Sequence, residues 1–455
     1  MIDILPDDVL LPVFDYCVDQ DGYDKEEVEV WQRLVHVCRR WRSVVFGSPL
    51  RLKLRLVCTD TTAARDMLNI WPALPLYIWC PYPLKECADN VLAVLERSNR
   101  VHRISLGRFS NSDFEKFWAA MDVPFPELTF LWLSSNEKMV RAIPDSFLGG
   151  SAPHLRALCL VGIPFPRLPK LLLSTTHLRL LEFNDIPHSG YLSPEKMVAA
   201  LSTLNSLRQL SLEFQSPRSR PDQRPPPPTR FVYPRLTEFR FKGASEYLED
   251  LVARIDAPRL GKLEITVFNQ IIFDMPQFIQ FISRTRALEA PDEAHVIFDD
   301  SVSEVNFSSQ TSGYKHFEVK IPCIELDWQI SSLEQVFTSC LPHLSTLEGL
   351  FIDSPGGWRR DWQDNVENTL WSELLLPFTS VKNLYISQEF ARRIVPALQE
   401  LVEGRRIEVL PALENIFLEG LEASGPVEKG IGPFVAMREV TGHPVAVTRW
   451  DRSSP

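Results

Sequence analysis

Apolar residues recur along most of this chain in the pattern L-x-x-L-x-L, with Val, Ile or Phe sometimes in place of Leu. The pattern falls at Val101/Ile104/Leu106, Leu128/Leu131/Leu133, Leu155/Leu158/Leu160, Leu178/Leu181/Phe183 and Leu207/Leu210/Leu212. It continues at Leu236/Phe239/Phe241, Leu260/Leu263/Ile265, Leu347/Leu350/Ile352, Val381/Leu384/Ile386 and Leu413/Ile416/Leu418. Successive starts lie 27, 27, 23, 29, 29, 24, 87, 34 and 32 residues apart. The gap of 87 equals three units of 29, which predicts two degenerate units near Leu288 and Phe317. Alternation in the last three positions predicts a short strand per unit, with its apolar residues pointing inward. Return helices are expected over 113–121, 194–204, 244–255 and 276–286, where apolar residues take helical spacing. Proline stands two residues ahead of the pattern at Pro126, Pro153, Pro234, Pro258 and Pro411, where it would break a preceding helix.

One such unit cannot bury its leucines alone, so neighbours must stack into a continuous core. Periods in the twenties with this pattern resemble those of leucine-rich repeats. The expected fold class is therefore α/β, an irregular solenoid of short parallel strands with helical returns across residues 99–424. Residues 51–98, with Leu52, Leu54, Leu56, Leu76 and Ile78 alternating, read as connecting, irregular first units. Residues 425–455 read as a cap or tail, with a last strand over 445–450 and a fraying end after it. Residues 216–229, SPRSRPDQRPPPPT, should form an extended loop, a surface insertion or a ligand for a proline-binding groove.

The first fifty residues carry a different periodicity. Pro6 suits the first turn of a helix, and Asp7 and Asp8 favour its dipole. Val9, Leu10, Val13, Phe14 and Cys17 then share a face, although Pro12 should kink or shorten the helix. A second stripe comprises Trp31, Leu34, Val35, Cys38, Trp41, Val44 and Val45, closed by Gly47 and Pro49. Helices this short bury too little surface to stand alone, so their apolar faces require a partner.

This segment resembles an F-box, the motif that docks onto Skp1 in Skp1–cullin–F-box ubiquitin ligases. The matching residues are Leu5-Pro6-x-Asp8-Val9-Leu10 with Val13-Phe14, then Leu34, Val37-Cys38-Arg39-Arg40-Trp41-Arg42 and Ser48-Pro49-Leu50. The chain departs from the family at Pro12 and in the acidic stretch between Cys17 and Val30. The resemblance implies an F-box over residues 1–50 in which Leu5, Pro6, Val9, Leu10, Val13, Phe14, Leu34, Cys38 and Trp41 make or support the Skp1 contact. It further implies a substrate-recognition adaptor that reaches the cullin and RING machinery through Skp1 and holds an unidentified target protein on the repeats.

Chemistry enters this picture mainly by its scarcity. No phosphate-loop, dinucleotide, zinc-protease or nucleophile-elbow motif occurs, and the nine histidines are dispersed. The eight cysteines lack zinc or redox spacing, and several stand inside apolar stripes, which favours reduced, buried thiols. No enzyme activity, metal or cofactor is therefore expected. A net charge of −11 argues against nucleic acid and anionic membrane as partners. No leader and no apolar run of membrane-spanning length is visible, so a cytoplasmic or nuclear location is expected.

The middle residue of each L-x-L should point away from the core. These residues are Ser105, Trp132, Cys159, Glu182, Ser211, Arg240, Glu264, Phe351, Tyr385 and Phe417. Trp132, Glu182, Arg240, Glu264, Phe351, Tyr385 and Phe417 are the candidate target-binding face, because exposed aromatics often anchor interfaces. Aromatics also favour strands for packing alone. A repeat scaffold that only caps its own core with the N-terminal helices, with no ubiquitin role, is the alternative.

Overall fold

The computed structural model describes residues 5–19, 30–59, 62–80, 88–108, 111–137, 142–165, 169–216, 229–268, 273–288, 291–309, 315–339, 341, 344–354, 366–403, 409–420 and 425–451. The acidic stretch 20–29 and most of the proline-rich segment, 217–228, lie outside the described residues. The fold is mixed α/β with mostly parallel strands, divided into two compact units, Met1–Tyr191 and Leu192–Pro455.

The first unit opens with helices α1 (Asp7–Asp19), α2 (Val30–Val37) and α3 (Arg39–Gly47). Strands β1 (Leu56–Cys58), β2 (Leu76–Cys80), β3 (Val101–Leu106), β4 (Phe130–Ser134), β5 (Ala157–Val161) and β6 (Leu180–Ile186) follow. They pair in chain order and all in parallel. Parallel neighbours need crossovers, and helices α4 (Ala64–Ile70), α5 (Ala88–Leu95), α6 (Asn111–Ala120) and α7 (Pro169–Ser174) supply four of them. Register follows the apolar pattern. Leu131 pairs with Leu158 and then Leu181, while Leu133 pairs with Leu160 and then Phe183. All six are buried.

The second unit contains α8 (Pro194–Leu201), β7 (Gln209–Phe214), β8 (Phe231–Val232), β9 (Glu238–Gly243), α9 (Ser245–Val252), β10 (Ile255–Asp256), β11 (Lys262–Val267) and α10 (Pro276–Arg284). Next come β12 (Glu293–Phe298), β13 (Val302–Ser308), β14 (Lys315–Pro322), α11 (Leu326–Ser339), β15 (Gly349–Asp353), α12 (Asn368–Leu375) and β16 (Asn383–Ile386). Helix α13 (Gln388–Glu403), β17 (Asn415–Glu419), α14 (Pro426–Val440) and β18 (Ala446–Trp450) complete it. The main strand order is β7-β9-β11-β14-β13-β12-β15-β16-β17-β18, and β8 pairs with β10 apart from it.

A recurrent turn introduces these strands. The N–H of the first apolar residue of a unit donates to the carbonyl three residues back at Leu128, Leu155, Leu178, Leu207, Leu236, Leu260, Leu347 and Leu413. Pro126, Pro153, Pro234, Pro258 and Pro411 occupy the second position of such turns, where a fixed φ near −65° is already correct. Their role is to shape the entry into the strand, beyond ending a helix. Leu288 has the same turn, donating to Thr285. One glycine also is required by geometry: Gly162 has φ +69°, and a Cβ there would lie 2.3 Å from the Ser135 carbonyl oxygen.

Three sequence expectations need correction. Two parallel units were expected between residues 260 and 347, yet β13 runs antiparallel between β12 and β14. Only residues 299–301 separate β12 from β13, far too few for a parallel crossover, so the chain must reverse. Strand β14, carrying Phe317, therefore lies beside β11, and β12 lies beside β15. Next, Pro12 does not shorten α1, which continues from Asp7 to Asp19. Finally, the second apolar stripe is two helices. Cys38, extended at φ −158° and ψ 169°, caps α3 by accepting the Trp41 N–H on its Sγ.

Candidate functional site

Three surfaces hold the candidate residues: the N-terminal helices and an outward strand row in the first unit, and a second strand row in the other. At the N-terminal helices, Leu10, Phe14, Trp31, Leu34 and Val35 are buried between helices. Phe14 packs on Trp41 with ring centroids 4.8 Å apart. Arg40 pairs with the Asp7 carboxylate at 2.7 Å and also donates to the Leu5 carbonyl, fastening the start of α1 to α3. Arg42 donates to the Val35 carbonyl at 3.1 Å, covering one open acceptor at the end of α2. The run Cys38-Arg39-Arg40-Trp41-Arg42 is thus largely an assembly device: cap, ion pair, aromatic contact and C-terminal donor. The bundle joins the rest of its unit through Trp31, whose Nε1 donates to the Arg55 carbonyl at 3.1 Å and whose ring meets Trp71 edge-on at 5.2 Å.

These roles sort the nine residues singled out for docking. Leu10, Phe14 and Leu34 face inward, and Cys38 and Trp41 are half-buried at the helix junction. Leu5, Pro6, Val9 and Val13 face solvent. On α1, Val9, Val13 and Tyr16 form a row 43%, 48% and 68% exposed, and Leu5, 39% exposed, and Pro6 stand just ahead of the helix. Positions three and four apart lie on one helix face, so this is a continuous apolar stripe. Val37, 60% exposed, adds to the apolar surface of these helices. Tyr16 and Val37 were not among the expected contacts; helical spacing from Val9 and Val13 was the available signal for Tyr16.

The outward strand row of the first unit runs Trp79–Ser105–Trp132–Cys159–Glu182 in register. Trp132 and Glu182 are half-buried, but Ser105 and Cys159 are covered. Small side chains alternate here with large neighbours. Burial, and then the Glu182 carboxylate, push the Cys159 thiol well above its ordinary value.

In the second unit one row crosses ten strands: Ser211–Arg240–Glu264–Glu318–Asn306–His295–Phe351–Tyr385–Phe417–Thr448. Its first part is charged. Glu264 is ion-paired with Arg240 at 2.9 Å and with Lys262 at 2.6 Å, and Lys320 bridges Glu304 and the buried Glu318. Its second part is a ring ladder. His295, Phe351, Tyr385 and Phe417 stack with successive centroids 4.1, 4.1 and 4.4 Å apart and planes within 8° of parallel. Strands are spaced about 4.8 Å apart, so the rings converge on this face. Trp450 reaches over from β18 and meets Tyr385 and Phe351 at 68° and 62°, with centroids 5.5 and 6.2 Å away.

Sequence reasoning found Phe351, Tyr385 and Phe417 but missed His295, Asn306, Glu318 and Trp450. His295 lies between the buried Ala294 and Val296, so its own alternation pointed outward. Asn306, within the formal sequon Asn306-Phe307-Ser308, is 1% exposed in the middle of β13 and is closed to a glycan. Ser211 is likewise buried, donating to Glu213.

No family model matches this chain. A search of curated proteins also returned no match. Among solved structures, the chain is similar to a protein from Bacteroides fragilis at 12% identity, covering 87% of this chain and 74% of that one. The TM-score is 0.17, so that likeness carries no argument. No helix among the described residues is long and apolar enough to cross a membrane.

Proposed function

We propose that this chain is a substrate-recognition adaptor of a Skp1–cullin–F-box ubiquitin ligase, with an F-box at its N-terminus and an irregular leucine-rich solenoid behind it. The observation that carries the reading is the solvent-facing stripe Val9, Val13 and Tyr16 on a helix held in place by Arg40 and Phe14, with Leu5 exposed just ahead of it. An apolar row of this kind on an otherwise ordinary surface suits a partner protein. The chain itself would perform no chemistry. It would hold a target near the ubiquitin-carrying enzyme, and proximity would supply the acceleration.

Co-purification with Skp1 under reducing conditions tests the reading. The wild type should retain Skp1, and Leu5→Ala/Pro6→Ala should retain much less. Failure of the wild type to hold Skp1 removes the ligase assignment.

A second reading is favoured by a specific contact. Trp31 and Trp71 bury the inner side of the helices against the rest of the first unit, as an end-cap of a scaffold would. That reading predicts that the N-terminal segment binds no Skp1 and that substitutions on its apolar face lower the stability of the repeats instead.

A further inference from the structure

We infer that the strand-entry edge of the first unit, at two stacked His-Leu-Arg turns before β5 and β6, is a docking surface for a carboxylate-rich segment of a partner protein. The inference goes beyond the ligase reading and does not depend on what the N-terminal helices bind.

The turns repeat in sequence and in space. His154-Leu155-Arg156 leads into β5, and His177-Leu178-Arg179 leads into β6. Each turn is closed by its leucine, whose N–H donates to the carbonyl three residues back, Ala152 or Thr175. The Arg179 N–H donates to the Arg156 carbonyl at 2.8 Å, so the turns lie side by side at the spacing of adjacent strands, about 4.8 Å. The leucines are buried, while His154, Arg156, His177 and Arg179 are all exposed. None of these four side chains makes a hydrogen bond or ion pair among the described residues.

No carboxylate stands in either turn, since residues 151–156 read SAPHLR and 174–179 read STTHLR. The turn before β4 carries Glu127, which is paired with His102 from the β3 side at 3.9 Å. Just inside the arginines, the half-buried row Arg103–Phe130–Ala157–Leu180 crosses β3 to β6 in register, also without a carboxylate. Arg103 lies over the Phe130 ring, its guanidinium carbon 4.0 Å from the centroid, and its charge reaches as far as Cys159. The first acid on this face, Glu182, stands two residues beyond Leu180 and is hydrogen-bonded with the Cys159 thiol.

This arrangement selects an anion. A guanidinium presents two N–H donors in a fork that matches the two oxygens of a carboxylate, and Arg156 and Arg179 offer two such forks on neighbouring strands. Phe130, Ala157 and Leu180 beside them supply the apolar contact that a protein segment can use. A basic segment would meet like charges here, and a net charge of −11 opposes nucleic acid. That net charge also repels acidic molecules in general, so binding of one reports this local patch and not the field of the whole chain.

The test is fluorescence polarisation of the full chain with a labelled nonapeptide of alternating glutamate and serine. The same peptide with glutamine for glutamate, and a labelled single-stranded oligonucleotide of equal length, are the comparisons. The acidic peptide should bind more tightly than either, and its affinity should fall as salt is raised. Arg156→Gln/Arg179→Gln should weaken its binding by about tenfold or more. Arg65→Gln/Lys116→Gln, the same charge change at exposed positions of α4 and α6, should leave binding unchanged. The hydrogen bonds that build the turns come from the backbone, so the arginine variant should keep its fold, which circular dichroism checks. Equal binding by wild type and the Arg156/Arg179 variant, an equal loss in the Arg65/Lys116 variant, or tighter binding of either comparison probe overturns the inference. Skp1 plays no part in this measurement, so failure here leaves the ligase reading standing, and failure there leaves this inference standing.

Discussion

Phe14 and Arg40 join the same two helices by opposite means, and their contributions should differ accordingly. Phe14 is fully buried against Trp41, so Phe14→Ala should cost ~3–5 kcal/mol, read from chemical denaturation. The Arg40–Asp7 pair is 36% and 62% exposed, so Arg40→Ala should cost no more than ~1 kcal/mol and less in high salt. Glu249 illustrates a third kind of residue. From α9 it accepts the N–H groups of Gln277 and Phe278 at 2.9 and 2.7 Å, capping α10, which has no side-chain cap of its own. Burial raises its pKa above the ordinary 4.5, partly opposed by those same hydrogen bonds. With a raised folded value the native state binds more protons, so this group's contribution is greatest below pH 4.5 and declines as pH rises through the folded value. The stability of wild type relative to Glu249→Gln should therefore fall between pH 4 and neutrality. A flat difference would remove Glu249 as the cause. Cys159, buried and with its thiol pushed up, should resist iodoacetamide in the native state while half-exposed Cys17 reacts, as mass spectrometry of the labelled chain would read.

At the scale of elements, the ladder is the feature whose energy can be isolated. A double-mutant cycle on Phe351 and Tyr385 should give a coupling of ~0.5–1.5 kcal/mol, and Tyr385→Phe should preserve most of it. A coupling near zero would mean that the rings merely share a face. Most strands were legible because the core demands two apolar residues per strand, and Leu131, Leu158 and Leu181 each stand where the pattern put them. Helices α8 and α10 also begin at the prolines read as their starts, Pro194 and Pro276. What the pattern could not convey was direction. Ala294, Val296 and Phe298 alternate as any strand would, and only the three-residue link after Phe298 forces the reversal that places His295 beside Phe351. The break at Cys38 was hidden for a related reason: an apolar residue with helical spacing serves instead as a cap through its sulfur. On the candidate surfaces, apolar spacing identified the stripe of α1 but could not say which members turn inward, since Leu10 and Val9 are neighbours facing opposite ways.

For the molecule as a whole, the two surfaces make separate demands. The α1 stripe is neutral and apolar, and the ladder is flanked by carboxylates within a chain of net charge −11. Substitutions in one should therefore leave the packing of the other intact, as distant, independent sites require. The most direct test of the central claim is a calorimetric titration of Skp1 into the full chain, with wild type compared against Val9→Asp/Val13→Asp. Both substituted residues are already exposed, so the fold should survive and circular dichroism should be unchanged. The account predicts binding by the wild type and a loss of at least about tenfold, ~1.4 kcal/mol, in the variant. Equal Skp1 affinity in the two proteins, or none in either, would contradict it.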